Sequence, residues 1–84
     1  MTNDDALLER ITVDHRIFGG KPIIRGHRLA VEHVLAMLAA GDLPDDILAG
    51  YDWLEPDDIR ACLLYAQRKV AGERIDPPLV GGAG

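Results

Sequence analysis

Three groups of residues in this chain are of types that can do chemistry. The first is Gly19-Gly20-Lys21, a candidate phosphate cradle, because glycines let backbone N–H groups approach an anion and a lysine neutralises it. A nucleotide loop needs further glycines, a Lys-Ser/Thr pair and a following helix, whereas Pro22 and the β-branched pair Ile23-Ile24 follow here. What remains is a β-turn whose glycines accept positive φ, with Lys21 either solvated or presented to an anionic partner. The second group is two carboxylate pairs, Asp45-Asp46 and Asp57-Asp58. Two-metal hydrolases gather acids, but neighbouring residues on a helix point about 100° apart. Each pair also follows a proline, where acids stabilise a helix start. No nearby His or Cys completes a ligand set, so no metal is expected. The third group is scattered. Cys62 shares an apolar stripe with Ile59 and Ala66 and reads as a buried, inert thiol. His15, His27 and His33 fall on separate elements, with His33 on a helix surface. Catalytic residues and cofactors are therefore not expected, and the chain reads as a binding protein, not an enzyme.

A binding protein is read through its charges. Residues 15–31 carry Arg16, Lys21, Arg25 and Arg28 without an acid, while residues 32–58 carry Glu32, Asp42, Asp45, Asp46, Asp52, Glu55, Asp57 and Asp58 without a lysine or arginine. Arg60, Arg68, Lys69 and Arg74 then restore a mild basic excess. The basic block suits DNA phosphates or an acidic protein surface only if folding turns the acidic block away.

The elements that position these blocks change period near residue 30. Ile11-Thr12-Val13-Asp14, Pro22-Ile23-Ile24-Arg25 and Arg28-Leu29-Ala30-Val31 are β-branched segments bounded by Gly19-Gly20 and Gly26, which predicts two or three short strands. From Val31 the apolar positions Val31, Val34, Leu35 and Leu38 predict a helix ending at Gly41, which stands where a left-handed cap belongs. The tetrapeptide Pro-Asp-Asp-Ile then occurs twice, at Pro44–Ile47 and Pro56–Ile59. Each copy predicts a helix start: a short helix over 44–50 with Ile47, Leu48 and Tyr51 buried, and a long one to Gly72 with Ile59, Cys62, Leu63, Ala66 and Val70 on one face. The turn through Asp52-Trp53-Leu54-Glu55 makes these two a helix-turn-helix by spacing, with Trp53 and Leu54 between the helices. The predicted fold class is thus α+β, short N-terminal β-strands followed by a three-helix helix-turn-helix bundle of winged-helix-like arrangement. The second helix of such a pair reads the major groove, but here it opens with Glu55-Pro56-Asp57-Asp58, and Arg60 is its only early cation.

The chain's 84 residues, 48% hydrophobic and 27% charged with a formal net charge of -5, suit one small domain over 1–72 followed by a tail over 73–84. A chain of this size buries only about 60% of its unfolded surface, which favours a homodimer. A lone cysteine and an acidic opening without a signal-peptide layout favour the cytoplasm. No apolar run approaches the roughly 20 residues of a membrane span. Aromatics at 5% argue against a stacking platform for single-stranded nucleic acid.

The segment ITVDHRIFGGKPIIRGHRLAVEHVL carries the strongest pattern. With Ile11 to Asp14, Gly19-Gly20-Lys21-Pro22, Ile23-Ile24-Arg25-Gly26, Arg28, Gly41, Pro44 to Ile47 and Asp58-Ile59-Arg60-Ala61, it resembles the DUF433 family over about residues 9–71. The resemblance implies a small helix-turn-helix antitoxin encoded beside a PIN-like ribonuclease toxin, a dimer that binds the toxin and its own promoter. The chain departs from that pattern at Leu43 and Glu55, where the family has Ser or Thr caps, and at His15 and His27, where it has Pro and Thr. A leucine cannot accept the orphan N–H groups of a helix start, a loss of about 1 kcal/mol, and Asp42 is placed to cap one residue early.

Two site expectations follow. DNA phosphates are met by Arg16, Lys21, Arg25, Arg28 and Arg60. The toxin is met by Ile75, Leu79 and Val80, the large apolar residues of a tail whose two prolines and glycine-rich end cannot continue a helix. The competing reading is a protein-interaction or dimerisation module without affinity for DNA.

Overall fold

The computed structural model describes residues 3–72, so the tail and its Ile75, Leu79 and Val80 lie outside the described residues. The elements run helix α1 (Asn3–Leu8), strand β1 (Ile11–Thr12), a 3-10 turn (Phe18–Gly20), strand β2 (Ile23–Ile24), and helices α2 (Val31–Ala39), α3 (Pro44–Gly50) and α4 (Pro56–Gly72). The architecture is a small α+β one, with a two-stranded antiparallel sheet pairing Ile11 with Ile24 and Thr12 with Ile23.

One expectation is corrected, the number of helices, and the choice between two and three strands is decided for two. The bundle has a fourth helix, α1, where the sequence reads only as an acidic opening. Its six residues are too few to hold a helix alone, and it persists because Leu7 is buried and α1 packs along α4, with Arg68 reaching Asp4 at 3.2 Å. The segment Arg28–Val31 is not a third strand. It forms one isolated bridge, Ala30 to Ile23, because Ala30 already serves as the N-cap of α2.

The helix ends follow from the sequence. Gly41 adopts φ 102° and its N–H donates to Leu38 O at 3.1 Å, while Asp42 N–H donates to Met37 O at 3.0 Å; the pair is a Schellman closure. Asp42 therefore closes α2 and does not cap α3. The two Pro-Asp-Asp-Ile segments use one device: proline occupies the first helical position, and the second aspartate reaches back to the N-cap. Asp46 Oδ2 accepts the Leu43 N–H at 3.1 Å, and Asp58 Oδ2 accepts the Glu55 N–H at 2.9 Å. His33 Nδ1 does the same for the Ala30 N–H of α2 at 3.1 Å.

Ile24, Leu29, Val31, Val34, Ile47, Leu54, Ile59 and Cys62 form the core, so the hairpin, α2 and the α3–α4 pair share one apolar centre. Tyr51 and Trp53 pack against it from the turn between α3 and α4. No described helix is long and apolar enough to cross a membrane.

Candidate functional site

The densest polar cluster lies where the hairpin meets the first turn of α4. Asp58 is fully buried, on the same face of α4 as Ala61 and Cys62. A carboxylate there must be paired, since an isolated buried charge is prohibitively costly. Arg25 grips it with both forks, Nε donating to Oδ1 at 2.9 Å and Nη2 to Oδ2 at 2.8 Å. Arg10 Nη1 donates to Oδ1 at 3.0 Å, and the Glu55 N–H fills the remaining acceptor position on Oδ2. Arg25 Nη2 also donates to Trp53 O at 2.8 Å, and Arg10 Nη1 to Glu55 Oε1 at 2.8 Å. With Arg10 Nη2 also 3.9 Å from Asp57 Oδ2, two cations meet three carboxylates, and one clamp ties residues flanking both strands to the start of α4.

Local geometry explains how Arg25 reaches its partner. It sits at φ 44°, followed by Gly26 at φ 73°. A left-handed non-glycine residue costs roughly 1 to 2 kcal/mol. The turn is held by Arg25 N–H donating to Arg10 O at 2.8 Å and by Gly26 N–H donating to Thr12 Oγ1 at 2.9 Å. Beyond it the His27 ring stacks on Trp53 at 3.8 Å, nearly parallel, while the Arg25 guanidinium stands 5.8 Å from the Trp53 ring centre.

Electrostatics favour the charged form throughout. Burial pushes the Asp58 carboxyl up, but the hydrogen bonds from Arg25, the Glu55 N–H and Arg10 outweigh it and hold the group below the usual carboxylate range. Arg10 is raised chiefly by its hydrogen bonds to Glu55 and Asp58, and Arg25 by its bond to Asp58. One helical turn further in, burial pushes the Cys62 thiol up to about 12, helped by the Asp58 charge. Cys62 is thereby the inert thiol its position in the stripe predicts.

The five cations expected at DNA are divided by the fold. Arg25 is engaged by the buried Asp58, with about a third of its side chain still exposed. Arg16 is exposed at 88% and is bound to Asp14 at 3.0 Å, holding that carboxyl down at about 2. Lys21 pairs with Glu32 of α2 at 2.7 Å, and Arg60 with Asp57 at 3.2 Å. Arg28 is exposed and has no ion pair among the described residues. Arg10, Arg25 and Arg60 gather around the start of α4, whereas Arg16 and Lys21 lie towards the 3-10 turn and α2. Of the carboxylate pairs, Asp45 and Asp46 are exposed, and Asp57 and Asp58 diverge, one outward and one into the clamp. Among the described residues no three His, Cys, Asp or Glu side chains are placed to hold a metal ion.

Sequence reasoning missed the clamp, although its signal was available. Asp58 stands three and four residues before Ala61 and Cys62, so it continues the apolar stripe of α4 by one turn. An acid on a buried stripe calls for a cation, and Arg25, in its glycine-bounded turn, supplies one.

Comparison with known proteins adds the following. An uncharacterized protein of Sinorhizobium fredii, y4eO, is 36% identical over 62 residues, which is 74% of this chain and 28% of that protein. The chain therefore spans little more than a quarter of that relative's length. No solved structure matches the chain. The profile of the family described as "Protein of unknown function (DUF433)" matches residues 11–66, and the chain belongs to that family.

Proposed function

We propose that the chain is a non-enzymatic binding protein, the antitoxin of a toxin-antitoxin pair, which neutralises a PIN-like ribonuclease by covering it. The toxin reading comes from the motif resemblance. The observation that carries it further is the distribution of charge after pairing. Asp42, Asp45, Asp46 and Asp52 stay exposed along the start of α3 and the turn before α4 and meet no cation among the described residues, whereas Arg25 is engaged by Asp58. A ribonuclease presents cations to its polyanionic substrate, and an exposed acidic stretch is complementary to such a surface. In this reading Ile75, Leu79 and Val80 add apolar anchors, and the protein acts as a homodimer in the cytoplasm.

The test is calorimetric titration against the ribonuclease encoded beside the chain, at two salt concentrations. The expected result is binding below about 1 μM that weakens as salt rises, and further weakening in the triple variant Asp45→Asn/Asp46→Asn/Asp52→Asn. No binding at either salt concentration overturns the proposal.

Operator binding is a second task favoured by one observation, an exposed Arg28 without an ion pair among the described residues. Exposed ion pairs such as Arg16–Asp14 and Lys21–Glu32 are worth only about 0 to 1 kcal/mol, so these cations can exchange a carboxylate for a phosphate. In this reading the hairpin is the wing of a winged-helix-like arrangement and contacts DNA through Arg16, Lys21 and Arg28. A slope of log K against log salt near -3 per protomer follows from three phosphate contacts, at about 0.9 each. A module that only dimerises or docks proteins shows no slope.

A further inference from the structure

Between α2 and α4 runs an apolar groove of about 250 Å³, with Pro22, Val31 and Leu35 on one side and Tyr65, Ala66 and Val70 on the other. Glu32 and Lys69 stand on its rims, and Val70 is 60% exposed. Open apolar surface of this kind mostly marks a contact that the described residues do not complete. We propose that residues 75–80 of this same chain lie in the groove and cover it in the free protein.

Four observations select this occupant. The described chain ends at Gly72, two residues past Val70, so the following segment starts at the mouth of the groove. Glu73 and Arg74 give a reach of about 10 Å from Gly72 to Ile75, enough to double back on Val70. From Ile75 to Val80 an extended chain spans about 15 Å, whereas Val70 back to Tyr65 on a helix is only about 7.5 Å, so the segment covers the whole wall. Sequence chemistry agrees with reach: Ile75, Leu79 and Val80 supply the apolar contacts, Asp76 can meet Lys69, and Arg74 can meet Glu32.

Pro77 and Pro78 fix much of the backbone in advance, which lowers the ordering entropy that docking must overcome. Tethering also raises the local concentration of the segment to the millimolar range, so a weak apolar contact suffices. A second copy is a poorer fit, because the eight residues that line the groove fall far short of the roughly 20–30 residues a side of a stable interface. The inference concerns the free chain and does not depend on the antitoxin reading. Where that reading holds, a toxin that takes Ile75, Leu79 and Val80 must first draw them from the groove.

Crosslinking in the full-length chain tests it. The double variant Leu35→Cys/Leu79→Cys is oxidised in dilute solution, with the buried Cys62 left in place, and Ala49→Cys/Leu79→Cys serves as the distant control. Glu32→Cys/Leu79→Cys, with its first site on the exposed rim, covers the case in which Leu35→Cys unsettles the core. The expected result is an internal disulfide in the monomer for the groove pairs and none for the control. In parallel, Leu79→Ser/Val80→Ser in the full chain raises binding of an apolar-surface dye several-fold and lowers the melting temperature by about 5 °C. Disulfide-linked dimers from the groove pairs overturn the proposal and assign the groove to a second copy. Equal crosslinking in groove and control pairs, no crosslink in either groove pair, or unchanged dye binding overturns it as well.

Discussion

Asp58 shows how a buried charge is tolerated in so small a protein. Its desolvation is offset because Arg25 meets it bidentately and Arg10 and the Glu55 N–H take the remaining positions. Removing Asp58 takes away its hydrogen bonds to the two part-exposed arginines and frees the Glu55 N–H, while Arg10 and Arg25 keep Glu55 as a partner, so Asp58→Ala should lower stability by about 1 to 3 kcal/mol, read as the urea unfolding midpoint. The pH dependence has a definite sign. Because the folded carboxyl is held below its unfolded value of about 4, the clamp's stabilisation is fully present above that value. It is lost as pH falls through the depressed folded value. An Asp58→Asn variant should therefore be less stable than the parent at pH 7 and lose less of its remaining stability between pH 5 and pH 2; parallel acid limbs for the two would contradict the clamp. At this scale the sequence was only partly legible. Cys62 could be placed from its stripe, whereas the role of Arg25 could not, because a basic block looks alike whether its cations face phosphate or a buried acid 33 positions away.

The helices α2, α3 and α4 were legible because their signals are local: apolar period, proline at the first position and glycine at the end. Helix α1 was not, because its six residues depend on packing against α4, a contact that spans most of the chain. Of the two or three strands expected, two form, and the third segment is held to a single bridge for a local reason, the use of Ala30 as a helix N-cap. Two substitutions test element ends. Leu43 is 65% exposed at the N-cap of α3 and makes no side-chain cap, so Leu43→Ser should raise stability by about 1 kcal/mol in chemical denaturation. Gly20 and Gly26 both hold positive φ, but a Cβ on Gly20 would meet His15 Nδ1 at 3.2 Å, whereas one on Gly26 meets open space. Gly20→Ala should accordingly destabilise more than Gly26→Ala; the reverse order would place the constraint elsewhere.

At the scale of the whole molecule, the net charge of -5 and the pairing of Arg25 with Asp58 set the terms for partners. Two arginines three residues apart should separate cleanly. Arg25→Ala lowers the melting temperature through the lost clamp, whereas Arg28→Ala leaves it unchanged and, under the proposed operator binding, reduces only that affinity and its salt slope. Equal melting losses would mean that Arg28 also supports the fold. Family membership and the α+β architecture are established, and neutralisation of a ribonuclease is the claim on which the functional account rests. The most direct measurement is the rate of RNA cleavage by the proposed partner, a PIN-like ribonuclease, as this chain is titrated in. The account predicts that cleavage falls in proportion to added protein and vanishes at a fixed molar ratio, with Arg28→Ala as effective as the parent. Cleavage that continues undiminished at a several-fold excess of folded protein would contradict it.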